Sequence, residues 1–144
     1  IMRPFNHIGA GQNNRFVVPN FSQQLAKIAR GEAPKQLQVG NLEAKRDFSD
    51  VRDIVRAYRL AAERGQGTYN LCSGKGVSVR EILETLIAIS GVEVEIVEDQ
   101  DRMRASEVPE VYGSYAKARR ELGWEPLHSL QESLEQAYKH WVQR

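Results

Sequence analysis

Sulfur, histidine and long apolar runs are all scarce in this chain. One cysteine among 144 residues excludes an intramolecular disulfide and any cysteine-paired zinc site. The three histidines, His7, His128 and His140, are too scattered for metal-ligand spacing, and His128 and His140 read as surface residues of the terminal helical region. No apolar stretch approaches the ~20 residues of a membrane span. No basic-then-apolar leader opens the chain, so the expectation is a cytoplasmic protein without a membrane partner. Charge of one sign is not in excess either. A formal net charge of +1 creates no global field to recruit nucleic acid, and any anion site must come from locally clustered arginines. Also missing is a strand followed by a glycine-rich turn and a helix, the arrangement that brings backbone N–H groups to a dinucleotide pyrophosphate. Gly9-Ala-Gly11 lacks a third glycine, Gly65-Gln-Gly67 follows a helix, and Gly74-Lys-Gly76 lacks the full spacing.

What is present suits a folded domain. A hydrophobic fraction of 41% with 27% charged residues is ordinary for a globular chain that buries one core. Residues 1 to 5 are β-compatible and lead into a glycine and asparagine loop. The opening Ile-Met-Arg-Pro-Phe resembles an internal strand, which gives the expectation of a truncated parent. Phe16, Val17, Phe21, Leu25, Ile28 and Ala29 then fall at helical spacing, with Pro19 in the first turn and Gly31 as the stop. Gln36 to Val39 reads as a strand and Arg46 to Phe48 as a short extended piece. Ser49 or Asp50 is placed to cap a helix through about Arg64 that buries Val51, Ile54, Val55, Tyr58 and Leu60 to Ala62. Thr68 to Cys72 reads as a buried strand in which Cys72 is an inert thiol. Ser78 and Glu81 form a capping box for a helix ending at Gly91, and Val92 to Val97 alternates as a strand with one solvated face. Residues 98 to 112 are polar and irregular. Helices over about Tyr115 to Leu122 and Leu130 to Val142 close the chain. The order is α/β, with strands too few and too short for a complete doubly wound sheet.

Three places carry candidate chemistry. Arg102 and Arg104 with Glu107 could meet phosphate oxygens through guanidinium forks and ribose hydroxyls through the acid; the same residues suit a solvated charged loop. Arg46 could project into a cleft, or form a surface ion pair with Asp47 or Glu43. Asn6 could cap its own turn or donate its amide to a diphosphate.

Taken together, Arg3-Pro-Phe-Asn-His-Ile-Gly-Ala-Gly-Gln12, Val39-Gly-Asn-Leu-Glu-Ala-Lys-Arg-Asp-Phe48, Tyr69-Asn-Leu-Cys-Ser-Gly74, Arg102-Met-Arg104 and Leu122-Gly-Trp124 resemble the C-terminal part of extended short-chain dehydrogenase/reductases. The likeness spans nearly the whole chain and points to the branch of GDP-mannose 4,6-dehydratases and GDP-6-deoxy-D-mannose reductases. The resemblance implies the last Rossmann strands joined to a small α/β substrate-binding domain. Residues 1–144 would be the nucleotide-sugar-binding region, with the N-terminal dinucleotide-binding domain absent. It implies Asn6 at the diphosphate or sugar, His7 near the cofactor, Val18 bordering the nucleotide, and Asn41 and Leu42 on the guanine side. Arg46 would meet phosphates or ribose, Arg104 the diphosphate, and Glu107 the ribose hydroxyls.

The family's catalytic Tyr-x-x-x-Lys pair has no counterpart, since no tyrosine is followed four residues later by lysine. No catalytic residue is therefore assigned, and the chain alone is expected not to transfer hydride. NAD(P) would belong to the full-length parent, with none held by this chain alone. The partner implied is a GDP-sugar, and a homodimer fits the parent. Dehydratases usually carry Asn-His-Glu-Ser-Pro-Arg-Arg where this chain has Asn6-His-Ile-Gly-Ala-Gly-Gln12, a departure that favours a reductase. A dehydratase, a sugar-nucleotide epimerase and a free-standing nucleotide-sugar-binding module are the alternatives.

Overall fold

The structure is a computed structural model that describes residues 1–103 and 109–144. The strands are β1 (Met2–Pro4), β2 (Asn6–Ile8), β3 (Gln36–Val39), β4 (Lys45–Arg46), β5 (Phe48–Asp50), β6 (Tyr69–Leu71), β7 (Val77–Ser78) and β8 (Glu95–Glu98). The helices are α1 (Val17–Ala29), α2 (Val51–Arg64), α3 (Val79–Ser90), α4 (Ala116–Leu122) and α5 (Leu130–Val142), with a 3-10 turn at Gln100–Arg102. The strands associate in pairs. β1 runs parallel to β6, β2 to β5 and β3 to β8, while β4 and β7 are antiparallel.

The opening segment does not form one strand that gives way to a loop. It serves two sheets, pairing with β6 up to Pro4 and with β5 from Asn6 onward. Phe5 donates to the Leu71 carbonyl at 2.9 Å, and Asn6 then starts the register with Phe48. Two cores follow from this switch. The larger packs α1, α3 and α5 around Phe21, Leu25, Leu37, Leu83, Leu86 and Leu134. The smaller packs α2 and α4 on the β1–β6 pair through Ile54, Tyr69, Leu71, Leu122 and Trp124. Trp124 is fully buried, and its Nε1 donates to the Asp53 carbonyl at 2.9 Å.

Helix ends follow the local sequence. Ser78 and Glu81 make a complete capping box, with Gly91 in the left-handed region at φ 70°. Gly31 at φ 74° lies beyond the end of α1. Asp50, not Ser49, caps α2.

The buried face of α2 differs from the apolar pattern. Asp53, Ile54 and Ala57 face inward, whereas Val55 is 62% and Tyr58 48% exposed, and Ala62 is exposed as well. The rotation has a polar cause. Buried Asp53 accepts from the backbone N–H groups of Leu127 and His128, both at 3.1 Å, and from Arg56 at 2.8 Å. His128 is accordingly not a free surface residue, since its Nδ1 lies 3.0 Å from Asp53 Oδ1. His140 is only partly exposed, with its ring edge-on to Trp141. Phe16, expected on the buried face of α1, precedes the helix and is 56% exposed. The strand expected over Val92 to Val97 is β8, shifted to Glu95–Glu98 by its register with Gln36–Val39.

Candidate functional site

Three clefts adjoin along one side of the molecule, each sharing residues with the next. The first, of about 450 Å³, is lined by Pro4, Phe5, Asn6, His7, Ile8, Gln12, Arg15, Phe16, Val17, Val18 and Phe48. The second, of about 400 Å³, is lined by Arg15, Val17, Asn20, Phe21, Gly40, Asn41, Val79, Asp101 and Arg102. Arg15 and Val17 therefore belong to both. The third, of about 230 Å³, joins Arg3, Arg46, Asp47 and Val111 to Pro4, Phe5 and Asn6 of the first. An apolar-walled central cleft, with a more polar cleft on one side and an arginine-bearing one on the other, suits an extended ligand with a charged linkage.

The β2–β5 pair and the loop before α1 build the central cleft. Parallel pairing with Phe48–Asp50 fixes Asn6–Ile8 at its wall. The side chain of Gln12 donates to the His7 carbonyl at 3.2 Å, and Asn13 Oδ1 accepts from Arg15 N at 2.8 Å, so the loop is closed by its own amides. Gly11 sits at φ 84°, a conformation that strains any side chain. His7 is exposed, and its Nδ1 lies 3.2 Å from the Phe5 carbonyl. A carbonyl only accepts, so Nδ1 is the donor in this contact and Nε2 stays open to the cleft. Among the described residues the Arg15 guanidinium makes no hydrogen bond or ion pair, and it stands at the neck between the two larger clefts.

Arg46 Nη1 donates to the Lys45 carbonyl at 2.6 Å. Of the two acids offered by sequence for an ion pair, Glu43 is bound to Arg80 at 2.6 Å. Asp47 is 1% exposed and accepts from the Ser73 N–H and hydroxyl and from the N–H groups of Gly74 and Gly113. At the far end, Asn41 Oδ1 caps Glu43 N at 2.9 Å. Arg102 is committed to Asp99 and Asn20, at 3.3 and 3.0 Å.

The structure thus brings Asn6, His7 and Val18 to the central cleft, Asn41 to one side and Arg46 to the other. Leu42 is packed in the larger core and lies outside the lining of these three clefts. Arg104 and Glu107 lie outside the described residues. Arg15, Phe48 and Asp101 were missed by sequence reasoning. Phe48 and Asp101 stand inside or beside motifs already singled out, and only a lone basic residue ahead of the α1 pattern marks Arg15.

With this geometry in hand, comparison with known proteins decides the family. The model of the family described as GDP-mannose 4,6 dehydratase matches residues 1–137. The chain belongs to that family. It is 39% identical over 146 residues to the GDP-6-deoxy-D-mannose reductase of Pseudomonas aeruginosa, covering 100% of this chain and 48% of the relative. It is 34% identical over 143 residues to the GDP-6-deoxy-D-talose 4-dehydrogenase of Aggregatibacter actinomycetemcomitans, covering 97% and 47%. The structure of RMD from P. aeruginosa complexed with NADPH superposes with a TM-score of 0.94 at 38% identity, over 99% of this chain and 48% of that one. The chain spans about half the length of the curated relatives it matches. Its α/β fold is that of an extended short-chain dehydrogenase/reductase in part, and its likeness is to nucleotide-sugar enzymes.

The glycine-containing turn that follows β6 has the N–H groups of Ser73 and Gly74 already donated to Asp47, so they are not offered to a pyrophosphate. No group of three His, Cys, Asp or Glu residues among those described could hold a metal ion. No helix among them is long and apolar enough to cross a membrane.

Proposed function

We propose that residues 1–144 are the substrate-binding portion of an NAD(P)-dependent GDP-4-keto-6-deoxy-D-mannose reductase-like enzyme. The observation that carries this reading is the unbroken series of clefts with the Arg15 guanidinium at the neck between the two larger ones. A nucleoside in the cleft of Asn41 and a sugar in the cleft of Asn6, His7 and Phe48 would place the diphosphate between them. Asn6 would donate its amide there, and Arg46, reaching from the adjoining cleft, and Arg104 would add guanidinium charge. Leu42 would support the guanine side from within the core, Val18 would border the nucleotide, and Glu107 would take ribose hydroxyls. The work of this portion is positioning, which holds the sugar in one orientation. His7 would face the cofactor, whose hydride chemistry belongs to the part of the relatives this chain does not span.

The loop after Asn6 supports a reductase over a dehydratase. Gly11 in the left-handed region would strain the first arginine of the dehydratase pattern, and Gln12, which stands at the second, donates to the His7 carbonyl. Calorimetric titration of the chain with GDP, GDP-mannose and UDP at one salt concentration tests the binding role. Saturable binding of the guanosine ligands, tighter than UDP, is expected; equal affinity for all three, or none, would remove the reading.

A further inference from the structure

We infer that Asp101 is the residue that selects guanine, its carboxylate taking the N1–H and exocyclic N2–H donors of the base. This rests on the reading of the clefts as a GDP-sugar site and adds to it the group that chooses the base.

The placement of Asp101 is built from several sides. Asp99 N donates to the Val39 carbonyl at 2.9 Å, which ties the 3-10 turn to the end of β3. Within the turn, Asp99 Oδ1 accepts from Asp101 N at 3.0 Å. The Arg102 side chain spans from Asp99 to Asn20 on α1. Gly40 lies so close to the turn that a Cβ there would stand 2.2 Å from the Arg102 carbonyl oxygen. The neighbours of Asp101 are thus spent on holding the turn, whereas its own carboxylate accepts no hydrogen bond among the described residues and lines the cleft with Asn41 and Asn20.

The chemistry of that group is selective. Guanine presents two adjacent donors, N1–H and N2–H, that a carboxylate accepts side by side, in a charge-assisted pair. Uracil presents a single N3–H between two carbonyls, so the second carboxylate oxygen would face a carbonyl oxygen and be repelled. Hypoxanthine keeps N1–H and lacks the exocyclic amine, leaving one carboxylate oxygen unmatched. A site that pairs with a ligand donor rejects the analogue lacking it far better than an apolar pocket does.

The test is titration of the wild-type chain and Asp101→Asn with GDP, IDP and UDP, with thermal unfolding as a check on folding. The wild type is expected to prefer GDP to IDP by roughly ten-fold. In Asp101→Asn that preference should fall to within about two-fold, with UDP binding no weaker than before. Because the carboxylate has no partner in the fold, the melting temperature should not move. A variant that keeps the wild-type GDP to IDP ratio overturns the role of Asp101 and leaves the GDP-sugar reading standing. A wild type that binds no GDP, or binds GDP and UDP alike, overturns both.

Discussion

Asp47 and Ser73 meet twice: one carboxylate oxygen, Oδ1, accepts both the backbone N–H and the hydroxyl of Ser73, each at 2.7 Å. The other oxygen takes Gly74 N at 2.9 Å and Gly113 N at 3.3 Å. A single buried anion therefore joins the β4–β5 connection, the turn after β6 and the segment before α4.

The first prediction concerns this junction. Asn in place of Asp47 turns an amide N–H toward donors and leaves at least one backbone N–H unpaired. Asp47→Asn should lower stability by about 2–3 kcal/mol. Urea unfolding measures it, and a loss below about 0.5 kcal/mol, the scatter of an ordinary surface substitution, would contradict the junction.

Acid sensitivity should arise at Asp50. Burial by itself would push this carboxyl up, but hydrogen bonds from the Arg52 side chain and backbone and from the Ser133 hydroxyl, with the Arg52 charge, hold it down at about 2. The carboxylate is only 4% exposed, so solvent screening is weak. A folded pKa below the unfolded value contributes stability that is complete above about pH 4 and is lost as pH falls toward 2. The wild type should lose about 2 kcal/mol more than Asp50→Asn over that interval. Denaturant titrations at a series of pH values would show parallel curves if the pair contributed nothing.

Cys72 should be unreactive in the folded state. Burial, reinforced by the neighbouring Asp47 charge, pushes its thiol up to about 11, so at pH 8 almost none is thiolate. A chromogenic disulfide reagent should label it only as fast as the chain unfolds. Labelling within seconds in native buffer would mean that the β6 core is open.

Arginines 52 and 104 should separate structure from binding. The Arg52 guanidinium is forked onto Asp50 at 2.9 and 2.8 Å, so Arg52→Ala should lower the melting temperature and spare GDP affinity. Arg104→Ala should do the reverse, weakening GDP about ten-fold. Calorimetry paired with thermal melts decides between this pattern and its inverse.

Much of the fold was legible because its signals are local. The Ser78–Glu81 box, the glycine stops and the periodicity of α1 each act within one helical turn. The parts that were misread depend on distant partners. Nothing near Asp53 in sequence announces that Leu127 and His128 will bond to it, yet those bonds turn α2 and leave Val55 and Tyr58 outside. Phe5 looks like the end of a strand until Leu71 and Phe48 claim its two neighbours for different sheets. At the site, Asn6, His7, Val18, Asn41 and Arg46 came from motif resemblance, and the structure puts them on adjoining clefts. Arg15 carries no motif and Asp101 stands only beside one, and the convergence of walls at the clefts marks them both.

The pairing of strands across long intervals sets the order in which the chain can assemble. Met2 waits for Tyr69, Asn6 for Phe48 and Gln36 for Glu95, so no strand of a parallel pair finds its partner in the next element. Closing such loops costs entropy before any ladder forms, and non-local pairing slows folding. During synthesis β1 and β2 cannot complete these pairs until β5 and β6 emerge, whereas α1 needs no distant strand to close its hydrogen bonds.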